Sequence, residues 1–357
     1  MTATSPYSFF SKARRYRFRT VLFIALFWTV MDLITILIGN MSHLREPFNS
    51  LYIRESFVFI MSLLMGYLFV FTLRNMFRNF PLGISFLFKT TVLLLVALFM
   101  NFLIHFIENR FILGQSSSAA VQSFFFDLVS LHWFLEKIFY WVILFIITQL
   151  YIEINNKYSP GVFSDIILGK YATPKVENRI VMFIDLRDST PIAEKMGHKR
   201  YFLFIREFIY DISMSLIENG GRIYQYVGDE IVVSWPNTKK NIGHSLKAVI
   251  ESRKNIQKKS SFYRSGFDRI PEFRVGIHVG DVTVGEIGII KKDLAMSGDT
   301  MNTTARIRSA CNELNKHFIV SAEFIKQSNL EEFQRESLGN VDLKGKSSTI
   351  ELYSLSI

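Results

Sequence analysis

Arg179-Ile180-Val181-Met182-Phe183-Ile184-Asp185-Leu186-Arg187-Asp188-Ser189-Thr190 is the stretch from which the rest of the chain can be read. The unbroken apolar run from Ile180 to Ile184, rich in β-branched residues, predicts a buried strand, and the carboxylate and hydroxyls after it predict a turn. A helical pattern follows from Thr190 to about Glu218 and stops at Gly220-Gly221. Beyond it, Arg222–Val227 and Ile231–Trp235 read as two strands meeting at Gly228-Asp229-Glu230, a hairpin with an acidic tip. Asn241 to about Lys258 is helical, and Phe273–Ile287 reads as a second hairpin around Gly276, Gly280 and Gly285. Thr300–Asn312 is a helix, Phe318–Val320 a strand, and Thr349–Leu355 the last strand. Strand pairs separated by helices predict an α+β sheet with helices packed on one face.

Upstream of this region the composition changes solvent. Up to about Leu150 the chain is dominated by Phe, Leu, Ile and Val. Four apolar stretches, about residues 21–39, 57–73, 84–107 and 133–152, approach or exceed the roughly 20 helical residues that cross a hydrocarbon core. The expected organisation is therefore a membrane domain over 1–152, an all-α bundle of four transmembrane helices, then a linker over 153–174 and a soluble domain over 175–357. Lys12, Arg14, Arg15, Arg17 and Arg19 precede the first stretch, and Arg74 and Arg78 follow the second. The other two loops balance their charges: Arg45 and Arg54 against Glu46 and Glu55, and Arg110 against Glu108 and Asp127. The positive-inside rule then makes the protein a multi-pass cell-membrane protein with the N-terminus and the C-terminal domain cytoplasmic. Asp32 lies deep in the first stretch, where an isolated charge is costly, and His105 is a candidate partner.

The net charge of +10, from 41 Lys and Arg against 31 Asp and Glu, sits beside apolar runs, so the basic partner is the lipid bilayer and not nucleic acid. The lone Cys311 excludes an intramolecular disulfide and a cysteine-rich zinc site.

Asp185 and Asp229 end neighbouring strands, and two such carboxylates can hold two divalent ions about 3.5–4 Å apart, activating an attacking oxygen and neutralising a polyphosphate. Asn302 and Arg306, four residues apart on a helix that opens at Gly298-Asp299-Thr300, share one face. An amide and a guanidinium there suit a ribose and a phosphorane charge.

Together with Arg274-Val275-Gly276-Ile277-His278-Val279-Gly280 and Leu343-Lys344-Gly345-Lys346, these motifs resemble the class III adenylate/guanylate cyclase catalytic domain over about Arg179–Tyr353. The resemblance implies a ferredoxin-like core that works as a homodimer, with active sites at the interface. It implies that Asp185, Asp229 and the Leu186 carbonyl hold two Mg2+ or Mn2+ per active site on one chain. From the partner chain, Asn302 would orient the ribose, Arg306 would stabilise the transition state and Lys344 would hold the terminal phosphates, while Arg274 would contact pyrophosphate. ATP would be converted to cyclic AMP.

Two base-reading positions depart from the family pattern. Where adenylate cyclases usually carry Lys with an Asp or Thr, and guanylate cyclases carry Glu at the first position, this chain has Gln225 and Ala295. A glutamine amide both donates and accepts, and Ala295 offers no side-chain hydrogen bond. GTP therefore stays open as the alternative substrate, and so does a non-catalytic membrane receptor with a nucleotide-binding, cyclase-like domain. Gly228-Asp229-Glu230 also resembles a diguanylate cyclase signature superficially, but Asn302, Arg306 and Lys344 have no place in that scheme.

Overall fold

A computed structural model describes residues 12–42, 48–73, 81–157, 162–290, 293–327, 333–343, 346 and 349–356. Arg14–Lys157 form one compact unit, and Tyr158–Ile357 make up the greater part of another.

The first unit is helical. It contains α1 (Lys12–Ser42), α2 (Phe48–Tyr67, continued by a π-helical turn over Leu68–Leu73), α3 (Leu82–Ile107, followed by another over Glu108–Ile112), α4 (Ser117–Val129) and α5 (Leu131–Lys157). Within it, Arg15–Ile38, Arg54–Thr72 and Phe86–Phe111 are long and apolar enough to cross a membrane. The fourth expected span, 133–152, lies on α5, whose apolar stretch Ile138–Ile154 is shorter, so a count of four is not reached among the described residues. Trp28, Leu93, Met100, Trp141 and Phe145 fill the interior, and the Trp28 indole N–H donates to Thr148 Oγ1 at 2.8 Å, tying α1 to α5. Leu22, Leu37, Ile60, Leu95 and Phe99 face outward, an arrangement that suits hydrocarbon and not water.

Three expectations for this unit change. The charges at Arg54 and Glu55 are not loop residues, because α2 starts at Phe48 and carries both into the bundle. Arg54 donates from Nε to Asp32 Oδ2 at 3.1 Å and lies 3.7 Å from Glu108, so Asp32 is neutralised by Arg54 and not by His105. His105 turns instead to the Ser123 hydroxyl, at 2.9 Å, and to Asp127. A cavity of about 550 Å³ between these helices is lined by Asp32, Arg54, Asn101, His105 and Glu108. The loop expected before the fourth span contains α4: the Ser116 hydroxyl caps it by accepting from Ala119 N, and Phe124 packs edge-on against Phe102.

The second unit begins with α6 (Val162–Ile167) and continues β1 (Lys175–Leu186), α7 (Ser189–Met196), α8 (His198–Glu218), β2 (Arg222–Val227), β3 (Glu230–Pro236), α9 (Lys239–Lys258) and α10 (Ser260–Phe267). Then come β4 (Phe273–Ile287), β5 (Asp293–Ser297), α11 (Asp299–Glu313), β6 (Phe318–Ser321), α12 (Ala322–Lys326), β7 (Arg335–Val341) and β8 (Ile350–Leu355). The sheet runs β2-β3-β1-β4-β6-β8-β7, with β5 paired to β4. Its first four strands, all antiparallel, form the expected ferredoxin-like βαββαβ core. Alternation along β1 decides which face each residue serves. Ile180, Met182, Ile184 and Leu186 pack with Phe204, Phe208, Leu246 and Val249 of α8 and α9. Val181 and Phe183 pack on the opposite face with Val282, Val284 and Met301. Asp185 is in phase with this second pair.

Phe273–Ile287 is not a hairpin. It is one strand paired to β1 from Lys175↔Val284 to Leu186↔Phe273, and its glycines provide room where a turn was expected. A Cβ on Gly276 would lie 2.5 Å from Arg308 N, one on Gly280 would lie 2.5 Å from Thr300 Oγ1, and one on Gly285 would lie 3.2 Å from Pro174. The helix expected over Thr190–Glu218 is broken into α7 and α8 at Gly197, whose φ of 74° suits glycine. The stretch expected as linker is in part domain core. Tyr171 is 1% exposed and joins the Val181 cluster, while Asp165 accepts from Arg222 at 3.0 Å.

Candidate active site

Asp185 reaches the end of β1 on the face covered by α11, and the β2–β3 turn brings Asp229 and Glu230 alongside it. Arg308 of α11 closes the cluster, with Nη1 3.0 Å from Asp185 Oδ2 and Nη2 3.0 Å from Glu230 Oε2. Burial pushes the Asp185 carboxyl up to about 6; Arg308 offsets part of that rise, and the Asp229 and Glu230 charges add to it. Glu230 is also raised, first by burial, with Arg308 opposing. Tyr201 stands nearby, its phenol raised by burial and by Asp229 and lowered by a bond to Ser189.

Asp229 Oδ2 is buried and has no hydrogen-bond partner. A buried carboxylate oxygen with no donor beside it is a position that a cation can fill. Hard carboxylate oxygens fit Mg2+ or Mn2+, which bind through one or two carboxylates and complete their shells with water and substrate phosphates. Among the described residues no group of three or more His, Cys, Asp and Glu side chains is placed to hold a metal. Cys311 is buried and its thiol pushed up to about 12 by burial, which leaves it inert as a ligand.

The remaining candidates are spread over α11, β4, β2, β5 and the segment before β8. Asn302 and Arg306 are on α11, which starts after Gly298. Neither side chain has a hydrogen-bond or ion-pair partner among the described residues, unlike Arg308 two positions on. Lys344 and Gly345 lie outside the described residues. Their neighbour Lys346 donates to Asp299 Oδ2 at 2.7 Å, at the start of α11. Arg274 sits opposite Asp185 in the β1–β4 register and donates to the Asn312 amide oxygen. Gln225 is exposed on β2 just past an irregularity in its pairing, and Ala295 sits on β5 opposite Gly285. The structure thus brings together Asp185, Leu186, Asp229 and Arg274, and keeps Asn302 and Arg306 apart from them on the far side of α11. Sequence reasoning missed Glu230 and Arg308 in this cluster. Glu230 adjoins Asp229 and was in view, whereas nothing in the spacing of Arg308 sets it apart from an ordinary helix-face arginine.

Residues 172–356, just over half of the chain, match the family described as the adenylate and guanylate cyclase catalytic domain. Adenylate cyclase 2 of Rhizobium meliloti (strain 1021) is 30% identical over 196 residues, 54% of each chain. An adenylate cyclase of Anabaena cylindrica is 24% identical over 205 residues, 55% of this chain and 40% of that one, and a receptor-type guanylate cyclase of Caenorhabditis elegans is 25% identical over 199 residues, 54% of this chain and 18% of that one. The chain thus spans about half or less of the length of these relatives. Among solved structures, a bacterial light-regulated adenylyl cyclase superposes with a TM-score of 0.54 at 16% identity, covering 64% of this chain and 67% of that one, a likeness of fold. With the βαββαβ core, the paired aspartates and the Asn302–Arg306 helix in place, the chain belongs to the class III adenylate/guanylate cyclase family.

Proposed function

We propose that this protein is a membrane-anchored adenylate cyclase that converts ATP to cyclic AMP and pyrophosphate at the interface of a homodimer. The observation that carries the reading is the buried, unpartnered Asp229 oxygen beside Asp185, a pair of carboxylates built to meet cations. Asp185, Asp229 and the Leu186 carbonyl hold two Mg2+ or Mn2+, which when bound help ionise the ribose 3′-oxygen and neutralise the polyphosphate. The 3′-oxygen attacks the α-phosphorus, the bond to the β-phosphate oxygen breaks, pyrophosphate leaves and the 3′ proton passes to solvent. Asn302 of the second chain orients the ribose, Arg306 stabilises charge on the phosphorane and Lys344 holds the terminal phosphates, with Arg274 beside the pyrophosphate.

Two features support the dimer. Asn302 and Arg306 have no side-chain partner among the described residues, and the β4–β5 hairpin exposes Ile287, Ile289 and Ile290, a run of apolar side chains that a second copy would cover. The basic N-terminus and the basic loop after the second apolar stretch favour a cytoplasmic catalytic domain, where ATP is available. Gln225 and Ala295 leave GTP as the second reading, and the guanylate cyclases among the relatives favour keeping it.

Product analysis by mass spectrometry on the full chain in detergent, with Mn2+ and equimolar ATP and GTP, decides the substrate. Cyclic AMP is the expected main product, and Asp229→Ala lowers its rate at least about 100-fold. Cyclic GMP as the main product overturns the substrate assignment, and full activity in Asp229→Ala overturns the two-metal assignment.

A further inference from the structure

Arg308 has no part in the reaction just described, yet it occupies the centre of the carboxylate cluster. A step of two residues turns about 200° around a helix, so Arg308 points to the side of α11 opposite Arg306, toward β1 and the β2–β3 turn. Its guanidinium forks between Asp185 Oδ2 and Glu230 Oε2, at 3.0 Å each, with all three side chains at least three-quarters buried. The fork is held from behind. Gly276 lets the α11 backbone come so close to β4 that a single added carbon would lie 2.5 Å from Arg308 N, and this close packing fixes the base of the side chain. Arg308 Nε is buried with no partner, so the guanidinium is held only through its ends.

Asp185 Oδ2 is one of the oxygens that a divalent ion needs, and a cation of the chain itself already covers it. Glu230 gives that cation a second carboxylate, so the guanidinium can release Asp185 without being left buried and unpaired. Three carboxylates against Arg308 leave a formal charge of −2, and Arg274 opposite Asp185 brings it to −1, well short of balancing two divalent ions. The missing negative charge is available from a nucleotide triphosphate.

We propose that Arg308 is a resident counter-cation that competes with divalent metal for Asp185, so that the site loads metal together with nucleotide and only weakly without it. When metal enters, the guanidinium moves wholly onto Glu230. This rests on Asp185 and Asp229 being the metal ligands.

The test is Mn2+ binding to the full chain in detergent, followed by electron paramagnetic resonance with no nucleotide present, with thermal unfolding as a check on folding. Arg308→Gln is expected to bind Mn2+ at least about tenfold more tightly than wild type, a gain that mere loss of a structural contact would not produce. Unchanged or weaker binding overturns the proposal. If Arg308→Gln does not fold, Arg308→Lys carries the test, because it keeps the charge but loses the fork: tighter binding than wild type supports competition, and equal or weaker binding overturns it. Repeating the titration with a non-hydrolysable ATP analogue separates the two levels of the account. Equal Mn2+ affinity in wild type and Arg308→Gln, with Asp229→Ala binding none, sinks the competition alone. No Mn2+ bound by any of them, even with the analogue, sinks the metal site and the competition with it.

Discussion

At Asp185, burial and two neighbouring carboxylates outweigh the Arg308 guanidinium, and the carboxyl is pushed from its ordinary 3.8 up to about 6. A carboxyl whose folded value is raised keeps its proton in the folded chain at pH values where the unfolded chain has released it. Stability is therefore lost as pH rises through about 4 to 6, and above that window Asp185 is a net cost to the metal-free fold. Asp185→Asn should raise the unfolding temperature at pH 7 in the presence of a chelator, and its advantage should vanish below the ordinary value of 3.8, as read by differential scanning fluorimetry. A lower unfolding temperature at pH 7 would show that the Arg308 ion pair outweighs the burial cost. Such a cost at a functional pair is usual, since sites are built for ligands and not for the empty fold. Asp185 and Asp229 were legible in the sequence because each ends an apolar strand. Arg308 was not, because its role depends on how closely α11 packs against β4, which no spacing rule expresses.

That close packing is a property of elements. Gly276 and Gly280 on β4 admit the backbone of Arg308 and the hydroxyl of Thr300, so α11 lies almost on the sheet. Gly276→Ala forces backbone against backbone and should destabilise the domain by about 1–3 kcal/mol while displacing Arg308. Gly243→Ala on the exposed side of α9, where an added Cβ meets nothing within 4 Å, should instead be neutral or stabilising by up to about 1 kcal/mol. Denaturant unfolding of the two variants checks the contrast, and equal effects would refute the packing argument. The same glycines explain why the sequence of β4 reads as a hairpin. Glycine marks either a turn or a close approach, and only the pairing of β4 with β1 along its whole length distinguishes the two. The other principal strands were legible because their apolar alternation matches the two faces of the sheet. The short β5 and the polar β7 carry too little pattern to read.

For the whole molecule, the stretch between the units is the point of interest. Tyr171 and Asp165 fasten the segment that opens the second unit to the catalytic core, through the Val181 cluster and Arg222. Removing residues before Tyr158 should change the cyclase rate or the dimer dissociation constant at least several-fold, measured by product formation and analytical ultracentrifugation. Identical values for both would leave the helical unit as an anchor alone. The composition made the helical unit plain, but the Asp32–Arg54 pair within it was hidden, because Arg54 looked like loop charge until α2 carried it into the bundle.

The central claim is a metal-dependent site shared between two chains, and complementation tests it most directly. Asp229→Ala and Arg306→Ala chains are each expected to be inactive, since each homodimer spoils both of its sites. Co-expressed in equal amounts, half of the dimers are mixed and each mixed dimer keeps one intact site, so about a quarter of wild-type cyclic AMP formation should return. Activity no higher than the sum of the two variants alone would contradict the account.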